Sequence, residues 1–388
     1  MQAHYIDTPE RLQQLCQQLE GAAVVVLDTE FMREKHYYAQ FCLLQLATDE
    51  VIACVDPLAI EDLTPLMDVL YDPQIIKVFH AAGQDLELFF DAYGKLPKPL
   101  FDTQIAAALL GHGNQIGYGN LVQAVLGVSL DKSHSRTDWL LRPLDEAQLE
   151  YAADDVRYLL PVYHRLVDEL ASLGRSDWLA RDFMVLADEA RYQKDDYQLW
   201  QRVRGANRLK PQQLAILREL AAWREQVARE KNKPRKWILS DDVMLDVARH
   251  APADLARLGR IRGLNENSVR QWGKSLLALV AKGQSVVKDE CPSFPKKRTP
   301  TVNQEAQADL LMSVVRRVAA ESRIAMASLS SRKEIEALVM GDHQQALLQG
   351  WRGELLGRPL LAVLNGESTL QIRDGVVELV AVSLVGSD

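Results

Sequence analysis

The first 110 positions alternate short β-branched or aromatic runs with segments whose apolar residues recur every three or four positions, the pattern of layered strands and helices. Segments 23–30, 41–47, 51–55 and 75–80 read as strands. Leu63, Leu66, Met67 and Leu70 keep helical spacing behind Thr64-Pro65, where proline suits a helix's first turn. Helices are also predicted from Gln84 to Gly94, over 103–110 and 120–126, and as one long stretch over about 145–173. Val51 follows Ala47 by only four positions, too few for a crossover, so the early strands should form a meander and the sheet should be mixed.

From Leu209 onward no convincing strand run appears until the last fifteen residues, and the pattern is helical. Leu214, Leu217, Leu220, Ala221 and Val227 mark one amphipathic helix, Lys231-Asn232-Lys233-Pro234 closes it, and Ser240 offers a cap for the next. The segment 288–300, with three prolines around Lys296-Lys297-Arg298, reads as a linker. Gly273-Lys274-Ser275-Leu276-Leu277-Ala278 matches Gly357-Arg358-Pro359-Leu360-Leu361-Ala362 at an offset of 84, with Trp272 and Trp351 nearby, so one small helical module is expected twice. The predicted units are 1–201, 202–285, a linker over 286–303, and 304–388.

Charge sharpens this division. Residues 1–201 hold 15 basic and 32 acidic side chains, whereas 202–282 hold 18 and 8. A carboxylate-rich unit thus precedes a basic one, the arrangement of an acidic site beside a polyanion-binding module. No apolar run approaches the roughly 20 residues needed to span a bilayer, so no membrane segment is expected. Four scattered cysteines without a C-x-x-C pair argue against a zinc ribbon or a disulfide scaffold. Positions 1–20 lack a basic region leading into an apolar core, so no secretory signal is expected, and a reducing cytoplasm fits best.

The chemistry concentrates at three places. Strand 23–30 runs into Asp28-Thr29-Glu30-Phe31, where the two acids stand two apart and share a face. Asp85 follows strand 75–80 through the small residues Ala81-Ala82-Gly83. Tyr151 and Asp155, four apart on a predicted helix, share another face, whereas Asp154 points elsewhere. Each has an ordinary explanation alone: a solvated turn, a first-turn carboxylate, a helix-surface acid.

In this order and on these element types, the three blocks resemble the DEDD superfamily of 3′→5′ exonucleases in its tyrosine-containing branch. Asp28-Thr29-Glu30-Phe31-Met32-Arg33-Glu34, Tyr37-Tyr38, Leu43-Leu44-Gln45-Leu46-Ala47, Ala82-Gly83-Gln84-Asp85 and Asp138-Trp139-Leu140-Leu141-Arg142-Pro143-Leu144 are similar to the ribonuclease D family. The basic unit resembles the helicase-and-RNase-D C-terminal (HRDC) domain, and the repeat points to a diverged second copy. The resemblance implies an RNase H-like α/β exonuclease domain with a mixed β-sheet, followed by two all-α HRDC-type domains. It also implies an exoribonuclease that releases nucleoside 5′-monophosphates and trims 3′ ends of tRNA precursors and other small structured RNAs.

Phosphodiester hydrolysis gives an independent reason for this residue set. Two hard divalent ions about 3.5–4 Å apart activate water and clamp the leaving oxygen, and Mg²⁺ or Mn²⁺ takes oxygen ligands from a few carboxylates. By resemblance, Asp28 would bridge both ions, Glu30 and Asp155 would complete the water-activating site, and Asp85 would support the leaving-group site. Tyr151 would orient the attacking water, since a phenol with a pKa near 10 is a poor base at pH 7. Thr29 and Phe31 become contacts to the terminal nucleotide, with His80, Tyr37 and Tyr38 as weaker candidates.

Clustered cations from Arg229 to Lys236, with Arg260-Ile261-Arg262-Gly263 and Asn265 as a helix cap, make Arg235, Lys236, Arg260 and Arg262 candidate phosphate contacts. No G-x-x-x-x-G-K-[ST] loop occurs, which excludes a nucleotide-driven helicase and a nucleotide cofactor. No G-x-S-x-G nucleophile motif occurs either. A DNA-proofreading exonuclease and a catalytically silent nucleic-acid-binding platform are the rival readings, and a monomer is expected.

Overall fold

A computed structural model describes residues 1–131, 137–193, 195–295 and 298–382. Lys296 and Lys297 of the predicted linker, and 383–388 of the last fifteen residues, lie outside the described residues. The N-terminal elements are β1 (Ala3–Ile6), α1 (Pro9–Leu19), β2 (Val24–Met32), β3 (Gln40–Ala47), β4 (Ile52–Val55), α2 (Thr64–Leu70), β5 (Ile76–Phe79), α3 (Gly83–Tyr93), β6 (Leu100–Asp102), α4 (Thr103–Leu109), α5 (Tyr118–Leu126), α6 (Glu146–Arg157) and α7 (Leu159–Ser172). Six strands form one sheet in the order β1-β4-β3-β2-β5-β6. β2, β3 and β4 make the antiparallel meander, while β5 lies parallel to β2, β6 to β5 and β1 to β4.

The alternation along β2 sorts the two faces. Val25 and Leu27 pack with Leu12, Leu66, Leu86 and Phe89 of α1–α3. Val26 packs instead with Ala152, Val156 and Leu160 of α6 and α7. β1 and β6, only four and three residues long, are not visible as sequence runs, because such segments carry too little periodicity. The expected long helix over 145–173 is two helices meeting at Tyr158. Pro161 has no N–H to give the carbonyl of Arg157, and its ring would clash there, so α6 ends at Arg157 and α7 begins at Leu159. An Asp145–Gln148 capping box starts α6.

Beyond α8 (Ala180–Leu186) come α9 (Pro211–Glu230), α10 (Arg235–Ile238), α11 (Asp241–His250), α12 (Leu255–Leu258) and α13 (Glu266–Gln284). A second series follows: α14 (Val302–Ser322), α15 (Met326–Leu329), α16 (Arg332–Val339), a 3₁₀ turn Ala346–Leu348, then α17 (Gly350–Arg352) running through the π turn Gly353–Gly357 into α18 (Arg358–Leu364). Long, one-turn, medium, one-turn and long elements recur in the same order. The first four starts differ by 91 positions each, Pro211 to Val302, Arg235 to Met326, Asp241 to Arg332 and Leu255 to Ala346. The offset of 84 read from the sequence holds only for the last helix, because seven fewer residues precede it in the second series. That series ends in an antiparallel hairpin, β7 (Ser368–Arg373) and β8 (Val376–Ala381), which adds strand to a region expected to be all helical.

The two series meet the sheet-bearing part differently. Trp200, counted with residues 1–201 in the sequence, packs in the core of α9, α11 and α13 with Leu217, Met244 and Leu276. The second series shares a core with α4, α5 and α7, where Val315, Leu338 and Leu360 meet Ala107, Leu121 and Leu166. Arg175 ties that junction, donating from Nη1 to the Leu109 carbonyl and from Nη2 to the Ser322 carbonyl, 2.6 Å each. Trp178 and Trp351 stack above it with ring centroids 4.7 Å apart.

α9 and α13 touch at Gly283, where an added Cβ would stand 2.5 Å from Ile216 Cα. Gly283→Ala must therefore push the helices apart. We expect a loss of about 1–3 kcal/mol, read as a lower urea midpoint with an unchanged slope.

Candidate active site

The same two-residue period that sorts the core places Asp28 and Glu30 on the α6 side of β2, continuing the Val26 face, and turns Thr29 toward α3. α6 carries Asp155 to meet the strand. One carboxylate oxygen from each of Asp28, Glu30 and Asp155 lies within 4.8 Å of the others, and all three residues are half-buried. Asp85, in the first turn of α3, is buried and accepts a hydrogen bond from the Thr29 hydroxyl. Thr29, expected at the substrate, thus also holds a site carboxylate. Tyr151 lies one turn before Asp155 on α6, and a cavity of about 300 Å³ opens between Tyr151, Asp154, Asp155, Tyr118 and Leu130.

Several supports have no sequence signature of their own. Asp102, at the end of β6, accepts from the amides of Ala81 and Ala82 at 3.1 and 2.9 Å and caps α4 through the Gln104 amide. It thereby fixes the turn that starts α3, where Ala81 sits at a left-handed φ of 60°. Trp139, buried at 3% exposure, stacks on Tyr151 with centroids 6.4 Å apart. The Trp139 carbonyl accepts from Arg142 at 2.8 Å, and Arg142 reaches both carboxylate oxygens of the fully buried Asp56. His80 is tied behind the site, to Thr103 at 2.9 Å and the Ile116 carbonyl at 3.0 Å. Phe31 follows a bulge in β2 and pairs in register with Phe41.

The electrostatics of this cluster are unfavourable by themselves. Burial first, and neighbouring carboxylates second, push Glu30 up to about 9 and hold Asp28 and Asp85 well above the usual carboxylate range. Asp155 is pushed up to about 7 by burial and then by Asp154. Burial followed by Asp155, Glu30 and Asp28 raises the Tyr151 phenol to about 12, so it keeps its proton at neutral pH. Oxygen-only donors from three converging acids, too crowded to be charged together without a counter-ion, fit a hard divalent cation.

The four cations read as phosphate contacts fare differently. Lys236, Arg260 and Arg262 are exposed. Arg235 instead grips the buried Glu225, with Nη2 2.6 Å from Oε1, and lies over the Tyr37 ring at 4.9 Å. The Tyr37 hydroxyl also donates to Glu225, and Asn232 Oδ1 accepts from the amides of Tyr37 and Tyr38 at 3.1 Å each. Arg235 and Tyr37 therefore form the joint between the β2–β3 connection and the basic helices.

Comparison with known proteins places these features in a family. Residues 3–171 match the family model described as 3′-5′ exonuclease, and residues 213–280 match the HRDC domain. A ribonuclease D of Sphingobium indicum is 39% identical over 386 residues, covering 98% of this chain and 99% of the relative. One from Acidiphilium cryptum is 38% identical over 380 residues, covering 97% and 96%. Among solved structures, Escherichia coli RNase D, described as an exoribonuclease involved in structured RNA processing, aligns with a TM-score of 0.82 at 36% identity, covering 94% of this chain and 99% of that one. The catalytic core of RRP6 from Trypanosoma brucei aligns with a TM-score of 0.57 at 25% identity over 73% of this chain and 79% of its own. Matched along nearly its whole length by such relatives, the chain belongs to the ribonuclease D family of 3′-5′ exonucleases.

Proposed function

We propose that the chain is a metal-dependent 3′→5′ exoribonuclease that hydrolyses RNA phosphodiesters, releases nucleoside 5′-monophosphates and trims the 3′ ends of tRNA precursors and other small structured RNAs in the cytoplasm. The observation that carries this reading is the convergence of Asp28, Glu30 and Asp155 within 4.8 Å, with Asp85 and Tyr151 beside them. Asp28, Glu30 and Asp155 would hold one Mg²⁺ or Mn²⁺, and Asp28 with Asp85 a second. When bound, such a pair supplies an activated water and offsets charge on the departing 3′ oxygen.

The protein's own groups do the rest. Tyr151 donates its hydroxyl proton in a hydrogen bond that orients the attacking water, and Trp139 stacked behind it holds the phenol in place. Thr29 keeps Asp85 aimed at the site, and Phe31 offers a ring beside the terminal base. Water adds to phosphorus as the bond to the 3′ oxygen breaks, leaving the new terminal hydroxyl on the shortened RNA. Lys236, Arg260 and Arg262 meet phosphates further along. In this reading the chain divides into an exonuclease domain over 1–201, an HRDC domain over 202–285, a linker over 286–303 and a second, diverged HRDC-like domain over 304–388. It acts as a monomer. The recurring order of helices in the two series supports the second copy.

On 5′-labelled RNA with a single-stranded 3′ tail, Mg²⁺ should produce a ladder shortening from the 3′ end, with matched DNA cut more slowly. Asp155→Ala should lower the rate on the order of 10³-fold, and EDTA should abolish it. RNA that is bound but never shortened would leave only a binding platform.

The raised carboxylates give a pH test. The metal-free folded protein retains protons on Glu30 and Asp155 up to pH values of about 9 and 7, whereas the unfolded chain loses them near pH 4. The folded state binds more protons across that window, so this contribution to stability falls as pH rises. Metal displaces those protons, and its stabilisation should grow with pH. The increase in Tm on adding Mn²⁺ should therefore be larger at pH 8.5 than at pH 6; an equal increase at both would remove these acids as ligands.

Trp139→Leu should lower kcat about 10–100-fold with little change in KM, as for an outer residue that orients a reacting one. The same loss in a Tyr151→Phe background would show that Trp139 acts other than through Tyr151.

A further inference from the structure

An open cleft of about 640 Å³ lies between the start of α3 and helices α9–α11. Gly83 and Glu87, four positions apart, face it, and Asp85 between them points the other way toward the carboxylates, so one helix separates the cleft from the site. Two of the cations in its wall, Arg224 and Arg235, are neutralised by Asp241 and Glu225. The remaining three, Arg191, Arg202 and Lys236, are exposed, and none of them makes an ion pair or side-chain hydrogen bond among the described residues. Glu87, an acid that lines the same cleft, is engaged by Arg33 at 3.4 Å.

Three unpaired cations gathered in one cleft repel one another, and they do so where a strongly acidic sequence joins a basic one. The arrangement has a use if a polyanion supplies the missing charge. The cleft is open, follows the seam between the two parts, and borders the helix that carries Asp85. Those properties suit a linear chain of phosphates better than a small anion, which would need an enclosed pocket. We propose that this cleft carries the RNA backbone 5′ to the scissile bond, with Arg191, Arg202 and Lys236 each meeting a phosphate. The proposal rests on the exoribonuclease reading for the identity of the polyanion, and it adds Arg191 and Arg202, which the sequence did not single out.

The test compares the full chain, the variant R191Q/R202Q/K236Q, and K333Q, which removes an exposed charge from the second helical series. Binding of a fluorescent single-stranded RNA of about twenty nucleotides is followed by anisotropy in EDTA across a salt series. Three lost phosphate contacts should weaken binding on the order of tenfold and flatten the slope of log affinity against log salt by about 2. K333Q should match the parent. In Mg²⁺, kcat/KM for the long RNA should fall by a similar factor relative to that for a trinucleotide, which is too short to reach around α3. Unchanged affinity and salt slope in the triple variant would overturn the proposal while leaving the exoribonuclease reading intact. Salt-dependent binding lost in the variant, with no shortening of RNA by the parent protein, would uphold the cleft and overturn the exoribonuclease reading.

Discussion

Like charges in a half-buried space set the terms for the whole N-terminal architecture. Asp28, Glu30 and Asp155 present oxygens within 4.8 Å of one another, and Asp85 stands close enough for Asp28 to raise its pKa. Such a cluster opposes folding, because each carboxylate loses water and gains a repulsive neighbour. The surroundings hold it nonetheless. β2 is gripped on both edges by β3 and β5, the turn before α3 is pinned by Asp102, and α6 is capped at its start and stopped at its end. The rigidity around the acids is what makes a cation, rather than rearrangement, the available relief.

A second constraint is the joint between the sheet and the basic helices. Glu225, almost completely buried on α9, accepts from both Arg235 and the Tyr37 hydroxyl, and those hydrogen bonds draw its carboxyl below its ordinary range despite the opposing effect of burial. Tyr37 lies five residues beyond the end of β2 and also joins a small apolar cluster with Val227 and Ile238. The strand that bears two site acids is therefore continuous with a segment clamped by the next module. On the opposite flank, the second helical series is not appended but fused, sharing its core with α4, α5 and α7. Both helical series thus bear on the elements that surround the site.

Much of the carboxylate constellation was legible because it depends on local periods. A two-residue spacing on a strand puts Asp28 and Glu30 on one face, and a four-residue spacing on a helix does the same for Tyr151 and Asp155. The meander followed from a connection too short to cross over. β1 and β6 escaped notice because three or four residues do not establish a period, and the break at Tyr158 was missed although Pro161 announced it. Of the terminal hairpin, only β8 falls within the strand run visible in the last fifteen residues. A basic cluster shows that cations are present and not which of them, Arg235 among them, have already found a carboxylate.

The sequence by itself determined the types of the longer elements, the order of the site acids, the acidic-to-basic division and the repeat of helices, since these reside in neighbours along the chain. Tertiary structure alone decided that Thr29 holds Asp85, that Trp139 backs Tyr151, that Arg235 is committed to Glu225 and that Arg191, Arg202 and Lys236 face one cleft. The physical reason is that periodicity records which face a side chain occupies, whereas its charge state and partner depend on what packs against that face from far away in the chain.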